Sequence, residues 1–135
     1  MTKKPFIYED TITSRNAAVC AAVPANIAGK QELFATLAKQ LSFPDYFGEN
    51  WDAFEECLRD LSWLPTGLVV LTHADVPLIN DVASASTYLA ILSDAVRKMS
   101  KPEEHMLSVI FPIRFREPIE WLLRSQWIQE TKRST

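Results

Sequence analysis

Glycine and cysteine are both scarce in this 135-residue chain, with three of the first and two of the second. Three dispersed glycines leave no phosphate-cradling loop of the kind that holds nucleotides. Two cysteines, Cys20 and Cys57, are too few for a secreted disulfide scaffold, and no C-x-x-C spacing offers a metal site. Cys57 falls at the edge of an apolar helix face and Cys20 inside an Ala/Val run, so both read as small buried hydrophobes suited to a reducing cytoplasm. No segment approaches the ~18 apolar residues of a membrane span. The opening M-T-K-K-P-F-I-Y-E-D loses its apolar character at Glu9, too early for a signal peptide, and A-A-V-C at Cys20 has no such run before it either. Excess positive charge is also missing. A formal net charge of −3 argues against nonspecific binding to nucleic acid, and Arg114, Arg116, Arg124, Lys132 and Arg133 are too scattered to form a phosphate-tracking stripe. The expectation is a cytoplasmic monomer with no cofactor, no metal, no membrane contact and no direct nucleic-acid partner.

What is present suits an ordinary globular domain. A hydrophobic fraction of 47% with 23% charged residues supports one real core and argues against disorder. The chain reads as a single domain, 1–135, with its core at about 17–112, an N-terminal extension (1–16) and a C-terminal extension (113–135) carrying a helix. The polar lead, Met1–Asn16, has room for a short strand around Phe6–Tyr8. Ala17–Val23, ended by Pro24, is a buried strand. Leu33, Phe34, Leu37, Ala38 and Leu41 recur at helical spacing, which predicts a helix over Gln31–Leu41. A second helix runs from about Asn50, a suitable N-cap, to Leu61. Leu68–Thr72 is a continuous apolar run of the kind buried on both faces of a parallel sheet. Asp75–Asp81 reads as a short helix and Ser84–Met99 as a longer one, with Tyr88, Leu89, Leu92 and Val96 inward. Met106–Phe111 is the next buried strand. Pro118 is placed to open a last helix carrying Trp121 and Leu122. His73 and His105 have no Cys or Ser at catalytic spacing and read as structural or solvated. Strands alternating with helices predict an α/β layered fold around a parallel sheet.

The most informative segment is Phe43–Leu58, F-P-D-Y-F-G-E-N-W-D-A-F-E-E-C-L. A loop with two aromatics feeds a two-faced helix. At about 100° per residue, Trp51, Phe54, Cys57, Leu58 and Leu61 gather on one side. Asp52, Glu55 and Glu56 lie on the other, with Glu49 and Asp60 extending the acidic side at its ends. Such a helix docks through one face and offers carboxylates through the other. In the loop, Gly48 is expected to supply a backbone angle that other residues resist. Phe47 and Phe54 read as core, and Trp51 as half core and half interface.

From Leu33 to Leu58 the chain resembles the barstar family of ribonuclease inhibitors. The resemblance lies in an amphipathic helix, then P-D-Y-F-G-E-N, then W-D-A-F with C-L following. It implies a three-stranded parallel sheet packed with helices, and inhibition by plugging. The second helix and the loop before it would cover the active site of a small basic ribonuclease or related toxin, a carboxylate taking the place of a substrate phosphate. Carried over by position, Tyr46, Gly48, Asn50, Trp51 and Asp52 match contact positions, Glu56 matches the principal phosphate-mimicking acid, and Asp94 matches a further acidic contact. Glu55 stands where an aromatic contact is found in the family, and Glu56 where an aspartate is. Arg59 adds a positive charge to the acidic face.

Two other readings compete. The same fold could serve as an adaptor whose acidic helix binds some other basic protein, favoured by Glu55, Arg59 and the C-terminal extension. An enzyme using Asp52 and Glu56 as acid and base would need a pocket that drives their pKa values apart, and a convex helix face offers water instead.

Overall fold

The four strands run the same way. The computed structural model describes residues 5–10, 16–45, 48–100 and 104–133, with side chains as far as Arg124. Strands β1 (Phe6–Tyr8), β2 (Val19–Val23), β3 (Gly67–His73) and β4 (His105–Phe111) form a parallel sheet in the order β1-β4-β3-β2. Helices α1 (Lys30–Gln40) and α2 (Trp51–Asp60) link β2 to β3, α3 (Val82–Lys98) links β3 to β4, and α4 (Arg116–Arg133) follows. The α/β architecture is as expected, but the sheet has four strands where three were expected. The addition is β1, which pairs with the outer edge of β4, Phe6 opposite Val109 and Tyr8 opposite Phe111.

The register explains the core. Ala21, Leu71, Val109 and Phe6 stand side by side across the sheet, and all four are buried. Their neighbours in sequence point to the opposite face, where cover is thinner. Cys20 is therefore exposed, contrary to expectation, because it alternates with buried Ala21 and Val23 on an edge strand. On the inner strand β3 Val69, Val70 and Leu71 are all buried, so the middle of Leu68–Thr72 has the two-sided burial read from its apolar run, while Leu68 and Thr72 are half-buried.

The segment Asp75–Asp81 forms turns rather than the expected helix. Leu78 takes a left-handed backbone (φ 62°), its amide donates to Ile27 O at 3.0 Å, and the Asn26 amide donates to Asp75 Oδ2 at 2.9 Å. These bonds tie together the segments that follow β2 and β3. The last helix begins at Arg116, after a single 3-10 turn at Ile113–Phe115. Pro118 thus lies within its first turn, where a missing N–H costs nothing. Ile119 and Leu122 face inward, and Trp121 is 55% exposed. The Arg116 guanidinium lies 5.7 Å from the Tyr8 ring centre. Burial, then Glu120, pushes the Tyr8 phenol up to about 12, with Arg116 opposing. So β1 and α4 meet on the β4 flank of the sheet.

Beneath α2 and α3 lies a buried polar pair. His73 Nδ1 is 3.2 Å from Ile110 O, and Nε2 is 2.8 Å from the Tyr88 hydroxyl. A carbonyl only accepts, so Nδ1 carries the proton and the Tyr88 O–H donates to Nε2. Burial holds the imidazole neutral, pushing it down to about 3 against the opposing Ile110 bond, and lifts the Tyr88 phenol above its usual range.

Candidate functional site

Two fixed ends hold α2. At its start, Asn50 has an extended backbone and accepts the Ala53 amide at 2.8 Å through Oδ1, the N-cap bond that satisfies one of the helix's free donors. Its Nδ2 donates to Gly48 O at 3.2 Å, so one side chain caps the helix and pins the loop. At the far end Leu61 turns left-handed (φ 47°), and its amide donates to Cys57 O. The Trp63 indole N–H then donates to Leu41 O at 2.9 Å, fastening the connector to the end of α1.

Gly48 differs from expectation. Its backbone is ordinary, and it is the neighbouring Glu49 that takes a left-handed conformation (φ 50°). What Gly48 provides is room: a Cβ there would stand 3.3 Å from Asn50 Nδ2 and 3.6 Å from the Ala53 Cβ. The glycine lets the loop close on the capping side chain. Tyr46 and Phe47 lie outside the described residues.

The inner face of α2 is as the helical spacing predicts. Phe54, Cys57, Leu58 and Leu61 are buried. Phe54 stacks on Tyr88 with ring centres 5.8 Å apart and meets Phe34 and Phe43 at 6.3 Å each. Half-buried Trp51 sets its ring edge-on to Phe34 at 5.0 Å and lies 6.4 Å from Tyr88. Such aromatic pairs add about 0.5–1.5 kcal/mol each beyond area burial. They leave α2 little freedom to rotate about its axis.

The outer face forms an open depression lined by Asp52, Glu55, Glu56, Arg59 and Asp60. Four carboxylates to one guanidinium is a local excess equal to the formal charge of the whole chain, −3. The charges elsewhere sum to zero, so this face alone matches the net charge of the chain. The field reaches the core: Cys57 beneath is pushed up first by burial, then by Asp60 and Glu56. Arg59 Nη1 lies 3.8 Å from Glu55 Oε1, a loose pair with side chains 46% and 38% exposed.

Asp94 is not among the residues lining this depression. It sits on α3, held by Lys98 at 3.0 Å and Arg97 at 4.0 Å. Next to the depression, and sharing Arg59 and Asp60 with it, is a polar cleft of about 160 Å³, completed by Lys98, Met99, Glu104 and His105. His105 opens β4 and donates from Nε2 to Leu64 O at 3.2 Å. The presence of Lys98 and Glu104 beside α2 was not foreseen; it arises from the meeting of α2, α3 and β4, which no local pattern encodes. Among the described residues no group of three His, Cys, Asp or Glu could hold a metal ion, and no helix is long and apolar enough to cross a membrane.

The sequence model of one protein family, described as Barstar (barnase inhibitor), matches residues 18–111, more than half of the chain. The chain belongs to the Barstar family. No curated protein matches it. The matched span runs from the approach to β2 to the end of β4, and so includes α2, its loop and the acidic depression. In this Barstar-family chain β1 and α4 fall outside the matched residues. Membership supports a role like that of a barnase inhibitor, with a ribonuclease as the kind of partner.

Proposed function

We propose that the chain is a non-catalytic, immunity-type inhibitor that blocks the active site of a small basic ribonuclease or related toxin with α2 and the loop before it. The observation that carries this is the depression on α2, where the whole net charge of the protein gathers on a helix clamped at both ends. Ribonuclease sites bind phosphodiesters through cationic side chains. Asp52 and Glu56, one turn apart, present two carboxylates at a spacing suited to charge-assisted, partly bidentate bonds with guanidinium groups. A rigid scaffold lowers the entropic cost of that meeting, and the concentrated field speeds encounter in a salt-sensitive way. Trp51 and Tyr46 would exclude water around the charged pairs, with Gly48, Asn50 and Glu55 bordering them. Asp94 would contribute once its bond to Lys98 opens.

Close interfacial charge pairs couple by about 1.5–7 kcal/mol, a scale measured on the barnase–barstar complex and therefore drawn from this same family. The test is inhibition of RNA cleavage by barnase and other small basic ribonucleases, with Asp52→Ala and Glu56→Ala alongside the unaltered protein. Each substitution should weaken inhibition at least about tenfold while leaving the urea midpoint unchanged. Inhibition that ignores both substitutions, or its absence with every ribonuclease tried, would refute the proposal. A second reading, an adaptor for a non-nuclease basic protein, is favoured by the Arg59–Glu55 pair, which sets a positive charge on the acidic face.

A further inference from the structure

Beneath α2 the protein keeps a buried polar pair out of any partner's reach. Tyr88 on α3 is fully buried, and His73 at the end of β3 nearly so. The imidazole is fixed in two ways. It lies flat on Phe111, with ring centres 4.0 Å apart and planes 17° apart, and its Nδ1–H donates to Ile110 O on β4. Its Nε2 is thus a stationary acceptor on the sheet, 2.8 Å from the Tyr88 hydroxyl. Toward α2, the Tyr88 ring stacks on Phe54 with centres 5.8 Å apart and lies 6.4 Å from the ring of Trp51. This path from sheet to α2 is therefore one directional bond followed by ring contacts. Apolar contacts resist separation but let surfaces slide, whereas a hydrogen bond fixes an atom in place. Folding alone does not call for such a pair, because two apolar groups of the same shape serve a core about as well.

We propose that Tyr88 is a positioning residue for the binding face: its hydroxyl, anchored on His73, sets the rotation of α2 about its axis and so fixes where Trp51, Asp52 and Glu56 stand. The proposal rests on the use of α2 as the binding face and adds to it a residue that touches no partner. Trp51 is followed directly by Asp52, which lines the acidic depression, so freedom gained at the ring passes at once to the carboxylates. At a side-chain radius of roughly 5–6 Å, a turn of about 10° carries a carboxylate about 1 Å. A binding constellation has to hold to about 0.5 Å, so a turn of that size spoils it.

The test compares the unaltered full chain with Tyr88→Phe, which deletes only the hydroxyl, and with Tyr88→Phe/His73→Leu, which leaves no imidazole nitrogen unpaired. Association and dissociation rates are measured on barnase, or on another small basic ribonuclease that the unaltered chain inhibits, and amide exchange on the free proteins. Both variants should dissociate about five- to thirtyfold faster and associate within about twofold of the unaltered rate, because the charges that steer encounter are untouched. His73→Gln keeps an acceptor for Tyr88 and a donor for Ile110 O, and should dissociate within about threefold of the unaltered chain. Leu122→Ala, buried under α4, should lower the urea midpoint yet leave both rates unchanged, since a chain that stays folded binds as before. In the free double variant the amides of Phe54–Leu58 should exchange at least about tenfold faster while those of Ile119–Leu122 keep their protection. Unchanged dissociation in both Tyr88 variants overturns the proposal. So does a His73→Gln chain that dissociates as fast as the double variant, or protection lost equally from α2 and α4. If the unaltered chain binds no ribonuclease, the reading of α2 as a plug falls, and the exchange rates alone decide for or against Tyr88.

Discussion

Helices α2 and α4 both lie on the surface, yet they are built differently. The inner face of α2 is an aromatic cluster tied to α1 and α3, and its outer face holds almost one sign of charge. Its ends are fixed by Asn50 and by the Leu61–Trp63 connector. Helix α4 seats Ile119 and Leu122 but turns Trp121 to solvent, and its surface charges are mixed, Arg116 pairing with Glu120 at 3.4 Å. A helix held rigidly with segregated charge suits recognition; one with paired charges suits covering a flank of the core. The β1–α4 pair does cover a flank, since without β1 the outer edge of β4 would be open.

The largest expected effect that sharpens this comparison is in the base of α2. Phe54→Ala removes a ring that touches four other aromatics and should cost about 3–5 kcal/mol in urea unfolding. On α4 the order of effects should follow burial. Leu122→Ala should cost about 2–4 kcal/mol, and Trp121→Ala should stay within about 0.5 kcal/mol. A Trp121→Ala loss as large as that of Leu122→Ala would break the contrast, because it would mean that Trp121 is covered in solution.

Acid should act on the base of α2 next. The folded pKa of His73 is depressed to about 3, below the ordinary value of about 6.5. The unfolded chain therefore takes up the proton first, and stability is full above about pH 6.5 and falls as pH drops toward 3. At pH 5 the loss from this residue is about 2 kcal/mol. Because Tyr88 links His73 to Trp51 and Phe54, replacing His73 with Gln should flatten the pH dependence between 7 and 5. An unchanged slope would show that His73 is not its source. A smaller effect than that of His73 is expected at the cap. Asn50→Ala should cost about 1 kcal/mol and, by releasing Gly48 O, also speed amide exchange in the loop.

Much of this was readable from the chain, and the exceptions have physical causes. Helices α1, α2 and α3 and strands β3 and β4 announce themselves because apolar residues recur at the period of the element and each is long enough to show it. Strand β1 falls at Phe6–Tyr8, where the chain has room for a short strand, but three residues are too few for a period and do not reveal that it pairs with the edge of β4. Cys20 looked buried because its neighbours are apolar; the alternation of an edge strand decided otherwise. The turn at Asp75–Asp81 depends on bonds to Asn26 and Ile27, which are distant in sequence. At the site, the acidic face of α2 follows from its helical arithmetic alone. The role of Gly48 did not, because close approach to Asn50 and an unusual φ leave the same residue in the sequence. Nor could the chain show that Lys98 and Glu104 would stand beside Arg59.

The central claim is that α2, and not α4, meets the partner. The most direct measurement is a map of backbone amide shifts in the full chain as barnase, or another small basic ribonuclease found to be inhibited, is added to saturation. The account predicts that shifts concentrate in Gly48–Asp60 and leave Arg116–Arg124 in place, and that both the pattern and the affinity fade as salt is raised. Shifts centred on Trp121 with α2 unmoved would contradict it.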